Sequence, residues 1–589
     1  MKSKLILLSV YGLTIVSCGG AVTSSSAAGA AGIAGTKLCE RRLASHVPAA
    51  VARATDRGKL DDTKALNLTI ALNPKDEAQL AQDVSAIYTP GSSTYRQYLT
   101  PQEFRARYAP SADQVEQVKS FLQAQGLQKV SVDEGGFLIH AEAAPSVANA
   151  AFGTEIHNYQ RAGGESFYAP SQEVRIPPGL PIQGVHGLQN LSVRRPHLVR
   201  RSNAKAATAH AGTGSGFGGG FAPADLRGAY NVPQSGGGAG QTLAVFELDG
   251  YDASDVQAYE KAFGIPNIPL QNVFVDGSTG AASGASAEVT LDIELIAALA
   301  PNATKILVYE GPNGDQGILD TYARIANDNL ATSISTSWGS SEGGNTSAFM
   351  QSENTIFMQM AAQGQTLFAA AGDAGAYDDG SSLGIDDPGS QPYAVAVGGT
   401  KLSTNGSQAW QSETTWNSGS ASSGAGGGGV STTWPIPSWQ KASITAAAHG
   451  STTMRNTPDV SLHSDESTGY AIYWQGSWSD WGGTSCAAPL WAGFTALVNE
   501  QRISRGLPTV GYLNPMLYAL AQGGSYGNDF HDVKDGSTNL YYPAVAGYDN
   551  ATGLGSFNGT SLLNDLVSEP SVPVKAAATA TASAECSSN

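Results

Sequence analysis

From about residue 221 onward, short and continuously apolar segments alternate with helical patterns, and this alternation constrains the fold more than any other feature of the chain. A strand that is apolar at every position must be covered on both faces, and helices between such strands supply that cover. The pattern therefore predicts a large α/β domain over residues 221–566, built on a parallel sheet with helices on both faces. The predicted strands are 242–248, 304–309, 333–337, 366–371 and 393–397, and the predicted helices are 255–263, 287–299, 317–329 and 347–363.

The preceding residues 40–193 follow a different pattern. Apolar and polar residues alternate over 66–72, as in a half-buried strand, and Thr100 and Glu103 form a capping box at the start of a helix. This order of elements is typical of a small ferredoxin-like α+β domain. Its later elements are predicted as strands at 129–133 and 137–142, a helix at 145–152 and a last strand at 155–161.

The N-terminal end of the chain has the pattern of a targeting segment. Residues 1–17 combine an early pair of lysines with an apolar run that is too short to span a membrane, which is typical of a secretion signal. The run 15–18 also has the pattern of a lipobox, in which Cys18 would be lipidated; an ordinary cleaved signal is the alternative. We therefore expect a secreted protein. A lipobox would anchor its precursor to the membrane through Cys18, whereas an ordinary cleaved signal would leave it without an anchor.

Three further segments have linker-like compositions. Residues 18–39 are rich in Gly, Ala and Ser and predict a flexible linker, and residues 567–589 predict a disordered tail. Residues 194–220 begin with several arginines and end in glycines. An exposed basic stretch of this kind predicts a processing linker, with a passive domain linker as the alternative.

The net charge of −17 is unevenly distributed along the chain. Residues 1–207 contain 22 Lys and Arg against 16 Asp and Glu, whereas residues 208–567 contain 10 against 32. Because the two parts carry opposite charge, they attract each other, and the acidic part is a poor partner for nucleic acid. We expect no nucleic-acid partner, and a monomer.

The motif Gly-Gly-Thr-Ser at 482–485 precedes a long apolar helical pattern and makes Ser485 a candidate nucleophile. None of the nine histidines lies in a hydrolase-like context, so a base other than histidine would have to activate this serine. A simpler interpretation is that Thr484 or Ser485 caps the helix. A third is a nucleophile elbow with Asp529 and His531 as triad partners, although the elbow lacks its final glycine.

Three acidic residues occupy positions that suit a base and an oxyanion donor. Glu288 and Asp292 are four residues apart in an otherwise apolar helical pattern, so their carboxyl groups project from one face. Asp373 follows an apolar strand, at the edge of the sheet where parallel α/β folds place ligands. The simpler interpretations are a solvated acidic helix face and an aspartate in a tight turn.

The Glu-x-x-x-Asp helix, the Ala-Ala-Gly-Asp strand end and the Gly-Thr-Ser-x-x-x-Pro motif, in this order along the chain, resemble the sedolisins, or serine-carboxyl peptidases, of the kumamolisin branch. Residues 95–104 resemble the family's activation prodomain. The resemblance implies a subtilisin-like fold, Ser485 as nucleophile, Glu288 as general acid/base, Asp292 as the residue that orients it, and Asp373 as oxyanion donor. Glu247 and Trp338 match positions that extend the carboxyl network in some members.

The resemblance also implies one structural calcium ion near the C-terminus. Its ligands would be the carboxylates of Asp532 and Asp549 and the backbone carbonyls of Val533, Val545 and Gly547. Glycine is more common in the family at the position of Val545.

Together these features predict a secreted serine endopeptidase that acts in acid and is made as a self-processing zymogen. Its partners would be protein or peptide substrates and its own prodomain, which acts as intramolecular inhibitor and chaperone. The alternatives are a catalytically silent lipoprotein that binds at a surface, and a Ser-His-Asp hydrolase that uses His531.

Overall fold

The computed structural model describes residues 40–200, 214–234, 236–405 and 407–568. The predicted signal 1–17 with Cys18, the linker 18–39, residues 201–213 of the predicted processing linker and the tail from residue 569 lie outside these ranges.

The N-terminal domain is an α+β unit, as predicted. Its strands are β1 (Arg41–Arg42), β2 (Thr55–Lys59), β3 (Leu66–Leu72), β4 (Gln128–Val132), β5 (Leu138–Ala143), β6 (Ile156–Gln160), β7 (Ser166–Pro170), β8 (Arg175–Ile176) and β9 (Ile182–His186), and its helices are α1 (Glu77–Ile87), α2 (Pro101–Tyr108), α3 (Ala112–Ala124) and α4 (Pro145–Phe152).

The main sheet of this domain has the order β4-β5-β3-β9 with antiparallel neighbours, which is the ferredoxin-like arrangement. Helix α2 starts at the predicted capping box, where Thr100 and Glu103 satisfy each other's backbone N–H groups. The prediction that 155–161 forms the last strand is wrong. That segment is β6, which pairs with β2 and β7 in a separate sheet, and the fourth strand of the main sheet is β9.

The segment after the N-terminal domain forms two short strands, β10 (Arg195–Pro196) and β11 (Val199–Arg200). Both pair with strands of the C-terminal domain. Arg194, at the start of this segment, is buried and ion-paired. The expectation of an exposed basic stretch is therefore wrong at Arg194, because acidic side chains of the C-terminal domain surround its guanidinium.

The C-terminal domain supplies the large α/β unit. Its strands are β12 (Thr242–Glu247), β13 (Leu270–Phe274), β14 (Lys305–Glu310), β15 (Ser333–Thr336), β16 (Trp338–Ser341), β17 (Thr366–Ala370), β18 (Asp386–Asp387), β19 (Ala394–Thr404), β20 (Trp410–Thr415), β21 (Gly429–Pro435), β22 (Met454–Thr457), β23 (Val460–His463), β24 (Tyr470–Trp474), β25 (Ser477–Gly482), β26 (Phe530–His531) and β27 (Ser556–Phe557). Its helices are α5 (Pro223–Ala229), α6 (Ala253–Phe263), α7 (Ser286–Leu299), α8 (Asp315–Asp328), α9 (Ser347–Ala362), α10 (Thr484–Ser504), α11 (Asn514–Ala521), α12 (Tyr526–Asp529) and α13 (Gly559–Val567).

The central sheet has the order β13-β14-β12-β15-β17-β19-β20, and β23 also pairs with β19. All neighbours are parallel except β19 and β20. Strands β15 and β17 are buried at every position, so both faces of the sheet are covered. Helices α7 and α10 pack against each other, and α8 and α9 form a second pair, which confirms the predicted architecture.

The two domains share an interface between the N-terminal sheet and the pair α8 and α9. The hydroxyl of Tyr88 donates a hydrogen bond to the carbonyl of Ala361 at 2.7 Å, and the guanidinium of Arg96 donates to the carbonyls of Thr509 and Val510 at 3.1 Å each. Within the described ranges, none of the helices combines the length and the apolarity needed to cross a bilayer.

Candidate active site

Helix α7 carries Glu288 and Asp292 one turn apart, and every residue of this helix is buried. Both carboxyl groups are fully shielded from solvent, so the alternative of a solvated acidic face is wrong. The hydroxyl of Ser337, just after β15, donates a hydrogen bond to Oδ1 of Asp292 at 2.8 Å. Asp292 also contacts the carboxyl group of Glu288, and two carboxyl groups in contact hydrogen-bond only when one of them holds a proton.

Glu247 extends this row of acids from the end of β12. Its Oε2 accepts a hydrogen bond from the indole Nε1 of Trp338 at 2.7 Å, and its side chain is fully buried. Asp292 therefore lies between Glu247 and Glu288 and contacts both. Three carboxyl groups this close cannot all be ionised at once.

Burial dominates the electrostatics of the row. It raises the pKa of Glu288 well above its ordinary value, and the neighbouring charge of Asp292 raises that pKa further. Burial also raises the pKa of Asp292, to about 8, against the hydrogen bond from Ser337 that favours the charged form. The pKa of Glu247 is raised by burial and then by Asp292. The row therefore holds protons in acid and can pass one to a neighbour.

Ser485 is the second residue of α10, and Gly483 is the N-cap of that helix. The interpretation of Thr484 or Ser485 as the cap is therefore wrong. Gly483 has φ +112°, and a Cβ atom at this position would overlap the carbonyl oxygen of His197 and lie 2.7 Å from Oδ2 of Asp373, so the site requires glycine. This glycine lets the backbone before the helix approach the reacting atoms.

The hydroxyl of Ser485 lies beside Glu288 and favours the charged form of that carboxyl group. Ser485 is itself completely buried, and its Oγ has no hydrogen-bond partner by strict geometry among the described residues. Catalytic hydrogen bonds are often long before substrate is properly seated, so a loose Ser485 to Glu288 contact fits a nucleophile and its base.

Asp373 follows β17 and reaches the start of α10. Its Oδ1 accepts hydrogen bonds from the backbone N–H and the hydroxyl of Thr484, both at 2.8 Å. Its Oδ2 has no partner within the described part of the chain and lies on the side of Gly483 where the His197 carbonyl sits. Burial raises the pKa of Asp373, against the opposing effects of His197 and Thr484.

The segment that contains β10 and β11 passes directly beside these residues. The backbone N–H of His197 donates to the carbonyl of Ser337 at 3.1 Å, and the backbone N–H of Ser485 donates to the carbonyl of His197, also at 3.1 Å. Arg195 pairs with Gly339 on β16, antiparallel. The carbonyl of His197 thus lies at the N-terminus of α10, beside the nucleophile, where a helix favours developing negative charge.

The cleft beside this segment has a volume of about 950 Å³ and is lined by several acids. The ring of His197 lies in it, with Nε2 3.1 Å from Oδ1 of Asp386. Burial raises the pKa of Asp386 and of the neighbouring Asp378. The part of the cleft around the His197 ring is therefore acidic.

The sequence predicted Ser485 as nucleophile, Glu288 as base, Asp292 as its orienting acid and Asp373 as oxyanion donor. The structure brings these four side chains together, and their roles stay predictions. Sequence reasoning missed the roles of Ser337, Thr484 and His197. Ser337 lies in a Ser-Trp-Gly run that matches the family, which was the only signal for it. Thr484 lies in the Gly-Thr-Ser motif, but its contact with Asp373 had no sequence signal, and neither did the position of His197.

The alternative triad is not assembled. The carboxylate of Asp529 accepts a hydrogen bond from the hydroxyl of Ser561 at 2.7 Å, and the ring of His531 stacks on Trp410 at 4.1 Å between centroids. Within the described ranges, no hydrogen bond joins His531 to Ser485 or to Asp529.

The predicted calcium ligands converge on one loop. The backbone N–H of Val545 donates to Oδ2 of Asp549 at 2.9 Å, and that of Gly547 donates to Oδ1 of Asp532 at 3.1 Å. Burial raises the pKa of Asp549 to about 7. A buried carboxylate and a second one on the same loop fit a hard cation, although no group of three acidic, histidine or cysteine side chains suited to a metal occurs in the described residues.

Comparisons with known proteins agree with this geometry. The model described as "Pro-kumamolisin, activation domain" matches residues 52–191, and the model of the subtilase family matches residues 278–508. The chain is 34% identical to kumamolisin from Bacillus sp. (strain MN-32), over 89% of this chain and 96% of the relative, and 30% identical to sedolisin from Pseudomonas sp. (strain 101), over 84% and 85%.

The chain is also similar to a solved structure of a serine-carboxyl proteinase. Pseudomonas sedolisin, a serine-carboxyl proteinase complexed with two molecules of pseudo-iodotyrostatin, matches 59% of this chain and 97% of its own, with 29% identity and a TM-score of 0.54. The four assembled residues, the activation domain and these similarities together show that the chain belongs to the sedolisin family of serine-carboxyl peptidases.

Proposed function

We propose that this protein is a secreted, acid-acting serine endopeptidase that is made as a self-processing zymogen. The observation that carries the proposal is the position of its own chain, with the carbonyl of His197 hydrogen-bonded to the backbone N–H of Ser485. A peptide bond held in this way is presented to the nucleophile.

The proposed reaction uses the residues as they lie. The Oγ of Ser485 attacks the carbonyl carbon and its proton passes to Glu288, which Asp292 orients. The oxyanion accepts hydrogen bonds from the N–H of Ser485 and from protonated Asp373. Glu288 then protonates the leaving amine, and the acyl-enzyme forms. Water hydrolyses the acyl-enzyme by giving a proton to Glu288, and this proton finally returns to Ser485.

The pH dependence follows from Asp373. An ionised Asp373 would repel the oxyanion, so donation is present below its pKa and is lost as pH rises through that pKa. Burial raises this pKa above the ordinary value. We therefore expect a pH optimum below neutral, with an alkaline limb above the range of a free aspartic acid.

The position of the segment predicts the first processing site. His197 precedes the scissile bond and Leu198 follows it, because the carbonyl of His197 is the one that accepts a hydrogen bond from the backbone N–H of Ser485. The chain then continues into β11, where Val199 pairs with Gly482. We propose that acidification triggers cleavage between His197 and Leu198. If Cys18 is lipidated, this cleavage separates the peptidase from the anchor and releases it.

One structural Ca²⁺ ion is part of the proposal. Asp532 and Asp549 would supply carboxylates, and Val533, Val545 and Gly547 would supply backbone carbonyls. The ion would hold the C-terminal loop and take no part in the reaction.

The test uses the full chain as wild type, Ser485→Ala and Ser477→Ala, each purified at neutral pH. Ser477 is exposed on β25 and controls for the loss of a hydroxyl. On acidification, wild type and Ser477→Ala should digest a denatured protein and yield a species that begins at Leu198, by mass spectrometry, and Ser485→Ala should do neither. Digestion by Ser485→Ala, or wild-type activity at pH 8 equal to that in acid, would disprove the proposal.

A further inference from the structure

The side chain of Arg194 enters a polar pocket that is built wholly from the peptidase domain. Arg194 lies four residues before the scissile bond, at the position called P4, and only 1% of its side chain is exposed. The neighbouring Arg195, at P3, is exposed. Two adjacent arginines of one segment therefore have opposite environments, so the burial is specific to P4.

The guanidinium of Arg194 is held by four acceptors. One nitrogen, Nη2, contacts the carboxylate of Glu353 and lies 2.9 Å from Oδ2 of Asp387. The other, Nη1, lies 3.1 Å from the hydroxyl of Tyr322 and 3.5 Å from the carbonyl of Trp338. Acceptors on two sides of a planar group suit the fork of arginine, whereas the single ammonium of lysine would reach fewer of them.

The backbone of Arg194 is held independently of its side chain. Its N–H donates to Oδ1 of Asn313 at 2.9 Å, and its carbonyl accepts from Nδ2 of the same asparagine at 2.7 Å. The side-chain amide of Asn313 thus binds both the backbone N–H and the backbone carbonyl of the P4 residue. Any extended peptide offers these two groups. Asn313 can therefore bind the backbone of a peptide of any sequence, whereas the acids of the pocket bind only a suitable P4 side chain.

Neighbouring amide side chains hold the two acids of the pocket in place, beside the cation. Gln391 bridges the two acids, with Nε2 3.2 Å from Glu353 and 2.8 Å from Asp387, and Asn345 donates to Asp387 at 3.2 Å. Glu353 and Asp387 are both completely buried. When the segment leaves, two buried carboxyl groups remain without their cation, and an unpaired buried charge is costly.

We infer that this pocket is the S4 subsite of the mature peptidase and that it selects substrates with arginine at P4. The inference rests on the proposed function and names a substrate class for the same cleft. The alternative is that Arg194 only fastens the prodomain in the zymogen.

The test is carried out with the acid-processed wild-type enzyme and a quenched fluorescent peptide of residues 190–203. Replacing the P4 arginine by glutamine should lower kcat/KM about 10-fold or more, the loss expected when one partner of a buried charge pair is removed. Replacing the P3 arginine by glutamine removes the same charge at an exposed position and should lower kcat/KM by less than about 3-fold, as for a surface pair. Equal effects at P4 and P3 would overturn the inference.

A second experiment changes the acids of the pocket instead of the peptide. In Glu353→Gln and Asp387→Asn, the ratio of kcat/KM for the P4-arginine peptide to that for the P4-glutamine peptide should fall toward 1. Glu413→Gln removes a buried carboxylate on β20, which accepts hydrogen bonds from the hydroxyls of Tyr230 and Thr400, and should keep the wild-type ratio. A ratio that persists in both pocket variants would overturn the inference.

A binding measurement covers the case in which a pocket variant fails to fold. Peptide 190–197 should inhibit the wild-type enzyme more strongly than the same peptide with glutamine at P4, and equal inhibition would overturn the inference. The proposed function fails separately, when wild type digests no denatured protein in acid. If it digests the protein but has no preference at P4, the S4 assignment alone is wrong.

Discussion

At the scale of single residues, this site replaces the usual histidine with a row of buried acids. Burial raises the pKa of Glu288 above the range of a free glutamic acid, which suits the general acid/base role that we propose for it. Ser337 and Trp338 donate hydrogen bonds to Asp292 and Glu247. These donors orient the carboxyl groups of the row.

Asp373 gives a prediction at this scale. Asp373→Ala removes a donor to the oxyanion, so kcat should fall by about 10²–10³ while KM changes little. Asp373→Asn keeps an N–H donor that does not titrate, so it should retain more activity than alanine and lose the part of the alkaline limb that Asp373 causes. Steady-state kinetics against pH measures both effects. An alanine variant close to wild type would contradict the assignment of Asp373.

The four residues that meet at the candidate site could be selected from the sequence because each belongs to a short motif with a fixed local geometry. Their partners could not. Thr484 was predicted as a helix cap, yet its hydroxyl binds Asp373, which is 111 residues away in the chain. Arg194 was predicted to be exposed, yet it is buried by acids that follow it by 159 and 193 residues. Contacts across such separations depend on tertiary packing, which local patterns do not encode.

At the scale of elements, the sequence predicted the regular strands and helices and missed the short ones. The strands β12, β14, β15 and β17 form within one residue of the predicted bounds at either end, because buried parallel strands have continuous apolar runs. Strand β9 contains Gly184 and follows Pro177, Pro178 and Pro181. These residues interrupt the alternation of apolar and polar residues that would have predicted a strand. Strands β10 and β11 are two residues long, and no periodicity can be read from two residues.

The C-terminal loop gives a prediction at this scale. EDTA should lower the melting temperature of the protein by a few °C, and Ca²⁺ should restore it, because an ion bound only to the folded state stabilises that state. Mg²⁺ should restore less, since it needs a tighter octahedral shell. Differential scanning fluorimetry measures the shift.

Two variants sharpen the calcium test. Asp532→Asn should lose the calcium-dependent shift. Asp535→Asn removes an acid from the same loop region, where it caps Ser537, and should keep the shift. A melting temperature that does not respond to EDTA in the wild-type protein would contradict the calcium site.

At the scale of the whole molecule, the zymogen joins a cationic part to an anionic one, and the junction contains buried histidines. The ring of His186, at the end of β9, lies 2.9 Å from the hydroxyl of Ser352 on α9 and packs edge-on against Phe349. His46 stacks beside it. Burial lowers the pKa of His186 to about 3, and the neighbouring His46 lowers it as well. His186 is therefore neutral in the closed zymogen.

This histidine makes the zymogen less stable in acid. An unfolded histidine takes up a proton near pH 6.5, whereas His186 in the closed state does so only near pH 3. The open or unfolded state thus binds more protons between these values, so stability is complete above about pH 6.5 and falls as pH decreases toward 3. Glu353 and Asp387, near Arg194, contribute the opposite pH dependence. Burial raises their pKa values, so the closed zymogen binds more protons than the open state, and these two acids favour the closed state as pH decreases.

The contribution of His186 can be isolated in the full chain with Ser485→Ala, which cannot process itself. Adding His186→Gln keeps a hydrogen-bonding group toward Ser352 and removes the titration, so the melting temperature should fall less steeply between pH 6.5 and pH 3. His157→Gln is the matched control, because His157 pairs with Asp56 within the N-terminal domain. If His186→Gln and the parent lose stability in parallel over this range, the junction histidine does not drive the opening.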